Sequence, residues 1–400
     1  MNPPKYILPI IVISQFFCTS LWFAGNGVMH ELMVNFGLGE SALGYLTSSV
    51  QFGFIIGTLL FAIFSISDRY SPSKVFFFCA LLGALFNVCT IWEANTYSNI
   101  IFFRFSTGFF LAGIYPVGMK IAADYYEKGL GKSLGFLVGA LVVGTAFPHL
   151  LKEVKGDLSW KSVLITTSTI ATLGGILMVS FVADGPHRKP SQKINLLAIP
   201  KIFKEQNFRA AAYGYFGHMW ELYTFWAFVP IILQTYLSMH PDVSFNIPLL
   251  SFVIIAIGGI ACVIGGFLAQ KIGLKKVAVS SLFLSCLCCL LSPIVFSLDS
   301  QILFITFLII WGMVVIADSP LFSTLVAQNA PTELKGTALT IVNSIGFFLT
   351  ILSIQLINEL RVLTNAPIIF IILALGPILG LIALIRPFTK TQRMIKNVQE

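Results

Sequence analysis

Three ionisable side chains stand inside long apolar runs of this 400-residue chain: Arg104, Glu221 and Asp318. A charge among apolar residues is costly to desolvate, and where one persists in a hydrophobic segment it marks a path for ions, protons or polar solutes. The run Tyr213 to Phe228, YGYFGHMWELYTFWAF, places His218 three residues before Glu221. On a helical wheel Gly214, Gly217, His218, Phe225 and Phe228 fall within about 60° of Glu221. A carboxyl and an imidazole on one face make a proton relay, in which Glu221, helped by His218, binds and releases a proton. In WGMVVIADSPLF, Trp311, Asp318 and Phe322 share a face, and Ser319 and Pro320 free backbone groups beside the acid. The purely structural alternatives are a fixed bond from Glu221 to a partner helix and an ion pair between Asp318 and Arg104. Lys120 and Asp124, at i and i+4, read as an interfacial pair with the lysine reaching towards water.

These residues need membrane helices to hold them. Charged residues are 10% of the chain and apolar ones 56%, and the mean hydropathy is +0.88. So few charges cannot cover the surface of a soluble domain of this size. Spans of roughly 20 apolar residues follow one another from Tyr6 to Pro387, and the alternating short strands of a transmembrane barrel do not occur. Twelve helices are expected, over about 6–29, 41–66, 75–93, 99–122, 133–151, 161–183, 208–237, 248–269, 276–297, 301–324, 336–358 and 366–386. The seven cysteines all fall in these runs and read as small apolar residues. The cluster Cys286, Cys288 and Cys289 lacks the spacing of a zinc site.

The chain carries a net charge of +8. Of its 25 Lys and Arg, twenty fall on one side of the expected spans, four (Lys152, Lys155, Lys161 and Arg361) on the other, and Arg104 within a helix. Cytoplasmic connections hold the positive excess, so both termini are expected in the cytoplasm, and a nucleic-acid partner is excluded as the reason for the basic charge. The longest polar connection, Asp184 to Asn207, contains Pro186, Pro190 and Pro200 among basic residues. It divides the chain into a first six-helix bundle (1–184), a cytoplasmic linker (185–207) and a second bundle (208–400), with a short surface helix expected around Leu196 to Phe203.

The halves repeat. FSISDRYSPSKV at Phe64 to Val75 recurs as GFLAQKIGLKKV at Gly266 to Val277, an offset of 202. ADYYEKGLGKSLG, from Ala122, is echoed by AQNAPTELKGTALT, from Ala327, with Gly131 matching Gly336. The first pair resembles the inter-helix loop signature G-x-L-A-D-R-x-G-R-K of the major facilitator superfamily of transporters. RFSTGFFLAGIYP, Arg104 to Pro116, resembles the R-x-x-x-G-x-x-x-G pattern of that family's fourth helix, with Gly108 and Ala112 on the arginine's face. The resemblance covers essentially the whole chain. It implies an all-α membrane protein of twelve helices in two pseudo-symmetric six-helix bundles, with the first, fourth, seventh and tenth lining a central cavity. By that resemblance Arg104, Glu221, Asp318, His218, Tyr115, Phe225 and Trp311 are the candidates for binding substrate and protons. Asp68, Arg69, Gln270 and Lys271 are the candidates for gating, with Asp68 facing the helix start around Gly336 and Thr337. Gln270 supplies no matching charge in the second copy, which makes the latch lopsided.

Nothing in the chain matches a phosphate-binding loop, a zinc spacing or a nucleophile elbow, so neither an enzyme nor a cofactor is expected. Helices 2 and 8 lack the arginines of nitrate carriers, the fifth helix lacks the glycine pairs of drug/proton antiporters, and the sugar-porter signatures are missing. The expectation is a monomeric secondary carrier in the cytoplasmic membrane that takes up a small organic solute with protons, or another coupling ion. Proton-driven efflux of drugs or metabolites, and a receptor or scaffold that has lost transport, are the alternatives.

Overall fold

Lipid offers no hydrogen bonds to a peptide backbone, so apolar runs of this length fold as helices that satisfy their own N–H and C=O groups. The computed structural model describes residues 4–126, 130–155, 159–188, 199–364 and 366–385. Among them eleven helices are long and apolar enough to cross a membrane, and a shorter apolar helix precedes them. That first helix, α1, runs over Ile7–Thr19 and resumes after a turn as Ala24–Gly27 and Met29–Phe36. There follow α2 (Ala42–Ile63), α3 (Pro72–Cys89), α4 (Tyr97–Leu111 with Tyr115–Tyr125), α5 (Leu130–Lys155) and α6 (Lys161–Phe181). The second half comprises α7 (Gln206–Met239), α8 (Ile247–Ile272), α9 (Leu274–Phe296), α10 (Gln301–Ala317 with Ser319–Asn329) and α11 (Lys335–Thr364). It ends with α12, a 3-10 segment Pro367–Ala374 leading into Leu375–Leu384.

Three spans are interrupted. In α4 and α10 the break precedes Pro116 and Pro320, residues that lack an N–H and stand in the first turn of the resumed helix, where none is needed. The two prolines stand at equivalent places in the halves. α1 has no proline there. Its break at 20–23 coincides with carbonyls that Arg104 takes up, described below.

The repeated loops differ in how they turn. α8 runs on to Ile272 and stops at Gly273, whose φ of 103° needs no side chain. In the first copy Ser71 replaces that glycine, and the left-handed position moves to Ser65, at φ 51°. The loop then forms a short helix, Ile66–Arg69, before α3. The start of the linker is fastened to this loop. The Arg188 guanidinium donates to the carbonyls of Asp68 and Tyr70, each at 2.8 Å, and the Ser71 hydroxyl donates to Asp184 at 2.6 Å. Of the expected surface helix, Ile199–Ile202 is helical. The rest of that expectation, 196–198, lies outside the described residues, as do linker residues 189–195, Lys128 and the basic residues after 385.

Helices α1–α6 pack together, α7–α12 pack together, and the halves meet chiefly along α2 against α11 and α5 against α8. Within the first half α2 and α4 approach to backbone distance. A Cβ at Gly53 would collide with the Phe105 carbonyl, and one at Gly108 with that of Val50. Gly108→Leu therefore forces the helices apart, with an expected loss of about 1–3 kcal/mol for overpacking. The loss is read as a lower melting temperature of the purified protein, whereas Gly336→Ala, which meets nothing within 4 Å, leaves the melt unchanged.

Candidate functional site

A cavity of about 900 Å³ lies between the halves. Its mouth is formed by Asp68, Lys120, Gly131, Gln270, Lys335 and Gly336, at the end of the bundle that carries the two repeated loops. At the opposite end the halves are shut. Gln355 donates to Ser48 at 2.8 Å, Asn358 donates to the Ser41 carbonyl at 3.3 Å, and Arg361 pairs with Glu40 at 3.0 Å. The floor above this closure is aromatic and is shared by both halves. Trp22 of the first half stacks on Tyr223 at 5.7 Å and on Phe347 at 5.8 Å, and Phe54 lies 4.5 Å from Phe347. Phe23 meets Trp226 edge to face at 6.5 Å.

Two of the interrupted helices contribute to the walls. Tyr115 and Pro116 of α4 and Ser319 and Pro320 of α10 all line the cavity, so each break opens onto it. From α7 the lining residues are Tyr215, Met219, Leu222, Tyr223 and Trp226. Their spacing of four, seven, eight and eleven residues from the first defines one helical face. It is roughly opposite the face of Glu221.

The embedded charges consequently stand behind the wall. Arg104, His218, Glu221 and Asp318 are each 1% exposed, and none of them lines the cavity. Arg104 donates to the carbonyl of Trp22 at 2.7 Å and to Asn87 Oδ1 at 3.0 Å, with longer bonds to the Leu21 carbonyl. Its cation is thus dispersed over neutral acceptors, and the carbonyls it uses lie within the break in α1. The expected alternative of an Arg104–Asp318 ion pair is corrected by this arrangement, because Asp318 pairs inside its own half with His218, Oδ1 to Nδ1 at 2.8 Å.

Glu221 is held separately. Trp311 Nε1 donates to its Oε1 at 2.6 Å, Cys289 Sγ donates to the same oxygen at 3.2 Å, and Ser285 Oγ also donates to it. The imidazole expected to serve Glu221 therefore serves Asp318 instead. His218 and Glu221 do share a face of α7, but α9 and α10 reach that face at different heights and supply each residue with its own partner. Phe225 lies 4.6 Å from Trp311, ring to ring, within the core of the second half. Of the seven binding candidates, Tyr115 alone meets the cavity.

Among the gating candidates, Asp68 and Gln270 line the mouth, while Arg69 and Lys271 are exposed outside it. The Asp68 carboxylate is bound to Lys120 at 2.8 Å, with Gly336 on the other lip of the mouth. Lys120 is 3.9 Å from Asp124, so the interfacial pair read from the sequence is secondary to the bond with Asp68. The residues not singled out in advance are Tyr215, Tyr223, Trp226, Phe347, Asn343 and Thr340. For α7 a signal did exist, the helical spacing of Tyr215, Tyr223 and Trp226, but it is also the spacing of ordinary packing.

Two half-repeats of six membrane helices around one cavity, open at one end and shut at the other, define a membrane transporter. The chain belongs to the Major Facilitator Superfamily, whose family model matches residues 11–354. It is 25% identical over 241 residues to "Probable nitrate transporter NarT" of Staphylococcus haemolyticus, a match that covers 58% of this chain and 60% of that relative's length. The fold is similar to that of the nucleoside transporter NupG, with a TM-score of 0.73 at 14% identity, covering 95% of this chain and 100% of the other. It is also similar to that of the proton:xylose symporter XylE, with a TM-score of 0.71 at 14% identity and 94% of both chains covered.

The position of Arg104 makes a test of its role direct. Arg104→Ala leaves Asn87 Oδ1 and the Trp22 carbonyl buried without their donor, and the expected destabilisation is about 2–5 kcal/mol. A melt of the purified variant reads this without any substrate, and Arg104→Lys should recover part of the loss. An unchanged melt for Arg104→Ala would mean that the break in α1 does not depend on the guanidinium.

Proposed function

We propose that this transporter carries a small organic solute across the cytoplasmic membrane by alternating access, coupled to a proton, in the direction of uptake. The observation that carries the reading is the cavity between the halves, with two carboxylates buried one layer behind its wall. Asp318 directly precedes the lining residue Ser319, and Glu221 directly precedes Leu222. A proton bound at Asp318 is held beside the solute path, and one bound at Glu221 is held a helix's width behind it. Asp318 Oδ2 and His218 Nε2 have no hydrogen-bond partner among the described residues, so this pair retains atoms at which a proton can be exchanged. The sequence features that argue for uptake are the missing glycine pairs of antiporters in α5.

The name of the Staphylococcus relative raises an inorganic anion as substrate. The cavity supports an organic solute instead, because among the described residues it is lined by no arginine, and its lysines, Lys120 and Lys335, stand at the mouth. The cavity's largely aromatic and aliphatic walls favour one second reading, efflux of hydrophobic compounds. With both termini placed in the cytoplasm by the distribution of Lys and Arg, the mouth faces the cytoplasm. A reporter enzyme that is active only outside the cell should be inactive when fused to the C-terminus.

The reading as a whole is tested by melting the purified protein against a small-metabolite library at two pH values, since a ligand stabilises the state that binds it. A metabolite that raises the melting temperature more at one pH, with the pH difference lost in Asp318→Asn or Glu221→Gln, is the expected result. In liposomes the same variants should fail to accumulate that metabolite on a pH gradient but still exchange it across the membrane. Shifts produced by hydrophobic drugs alone would move the reading to efflux. A pH dependence that survives both substitutions would remove these acids from coupling.

A further inference from the structure

The lining of the cavity also constrains what enters it. The charged residues of the lining, Asp68, Lys120 and Lys335, are at the mouth, and Asp68 and Lys120 bind each other. Deeper in, the described lining consists of aromatic faces, aliphatic groups, hydroxyls and amides, with Tyr115, Tyr215, Thr58, Thr340 and Asn343 supplying the polar atoms. The embedded charges are turned away and held by partners within their own halves. An ion that moved to this depth would find no counter-charge on the lining itself, because Glu221 and Asp318 behind the wall are already bound to partners of their own, whereas a neutral solute needs none.

The floor specifies shape. Tyr223, Trp226, Phe54 and Phe347 line the floor from both halves with at most 5% of each exposed, and Trp22 is already stacked nearly parallel to Tyr223 and Phe347, at 27° and 28°, so a solute ring that enters this layer must slide between faces that now touch. A planar ring fits such faces by stacking, at little conformational cost. The floor also contains an unused donor. Trp226 is fully buried and lines the cavity, and its indole N–H has no acceptor among the described residues. Buried indole N–H groups ordinarily find one, and an acceptor on a solute would satisfy it once the floor parts to admit the solute.

We propose that the solute is an uncharged molecule built on a planar ring, with hydrogen-bonding groups at its edge, seated on Trp226 and Tyr223 at the cavity floor. This rests on the transport reading above and narrows it. Aromatic faces also attract cations, but here an entering cation meets Lys335 and the paired Asp68 and Lys120 at the mouth, and no carboxylate on the deeper lining.

The test is equilibrium binding to the purified full-length protein at one pH, with no gradient, followed by calorimetry. The probes are sets matched in ring and size and differing in charge: nicotinamide, nicotinate and the N-methylated pyridinium of nicotinamide, and benzamide, benzoate and benzylammonium. The expected result is that a neutral member binds about tenfold or more tightly than both of its charged counterparts. Trp226→Ala should weaken that binding about tenfold, the scale of one lost aromatic contact. Trp226→Phe, which keeps a ring and is the safer variant for folding, should lose less. Preference for an anion or a cation, or failure of both neutral probes to bind protein that melts cooperatively, overturns the proposal. Because no proton gradient is used, loss of pH coupling in the transport tests would leave this result standing, and the reverse also holds.

Discussion

A bilayer interior solvates neither a guanidinium nor a carboxylate, so any charge kept there must be surrounded by polar groups that the protein itself provides. The interior of this molecule is arranged around that requirement. Arg104 is given carbonyls by a helix that stops being a helix at Leu21 and Trp22, together with an amide oxygen from Asn87. Asp318 is given His218 across the gap between α10 and α7. Glu221 receives three donors from α9 and α10 on one oxygen. Each solution is local to one half, so the two bundles can move relative to each other without uncovering a charge.

The cavity follows from what remains. α7 has one face committed to Glu221 and His218, and its other face, with Tyr215, Met219, Tyr223 and Trp226, is left to the space between the halves. α4 and α10 resume after their breaks at Tyr115 and Ser319, next to Pro116 and Pro320, and these residues line that space. Broken helices at the midplane of two repeated halves are a general device for placing polar backbone within a membrane without exposing it to lipid. Here they flank a solute path whose depth is neutral.

Much of this was legible in the residues. Composition and run length fix the membrane class, the offset of 202 between loops exposes the two halves, and Pro320 beside Asp318 locates a break. The choice of face on α7 was not legible. Residues 213–228 are apolar or aromatic nearly all round, and a helix buried on every side carries no amphipathic signal to say which side faces water. A carboxylate then draws attention to its own face, although a buried charge needs protein partners more than it needs a cavity. Partner identity was hidden for a related reason. Whether His218 serves Glu221 or Asp318, and whether Asp68 holds Lys120 or the start of α11, depends on where neighbouring helices cross, which spacing along one helix does not encode. The break in α1 has no proline to announce it, and the guanidinium that takes up its carbonyls comes from α4.

At the shut end, the contacts between halves are Gln355 with Ser48, Asn358 with a backbone carbonyl, and the Arg361–Glu40 pair, whose Glu40 side chain is largely in water. Beneath them are ring faces. Parting the bundles there breaks weak neutral bonds and wets aromatic surface, and the ion pair at the rim is already screened by dissolved salt. Such a seal resembles a damp press-fit more than an electrostatic lock. The speed at which it yields should follow temperature and the hydration of Trp22, Tyr223 and Phe347, and should be nearly indifferent to ionic strength.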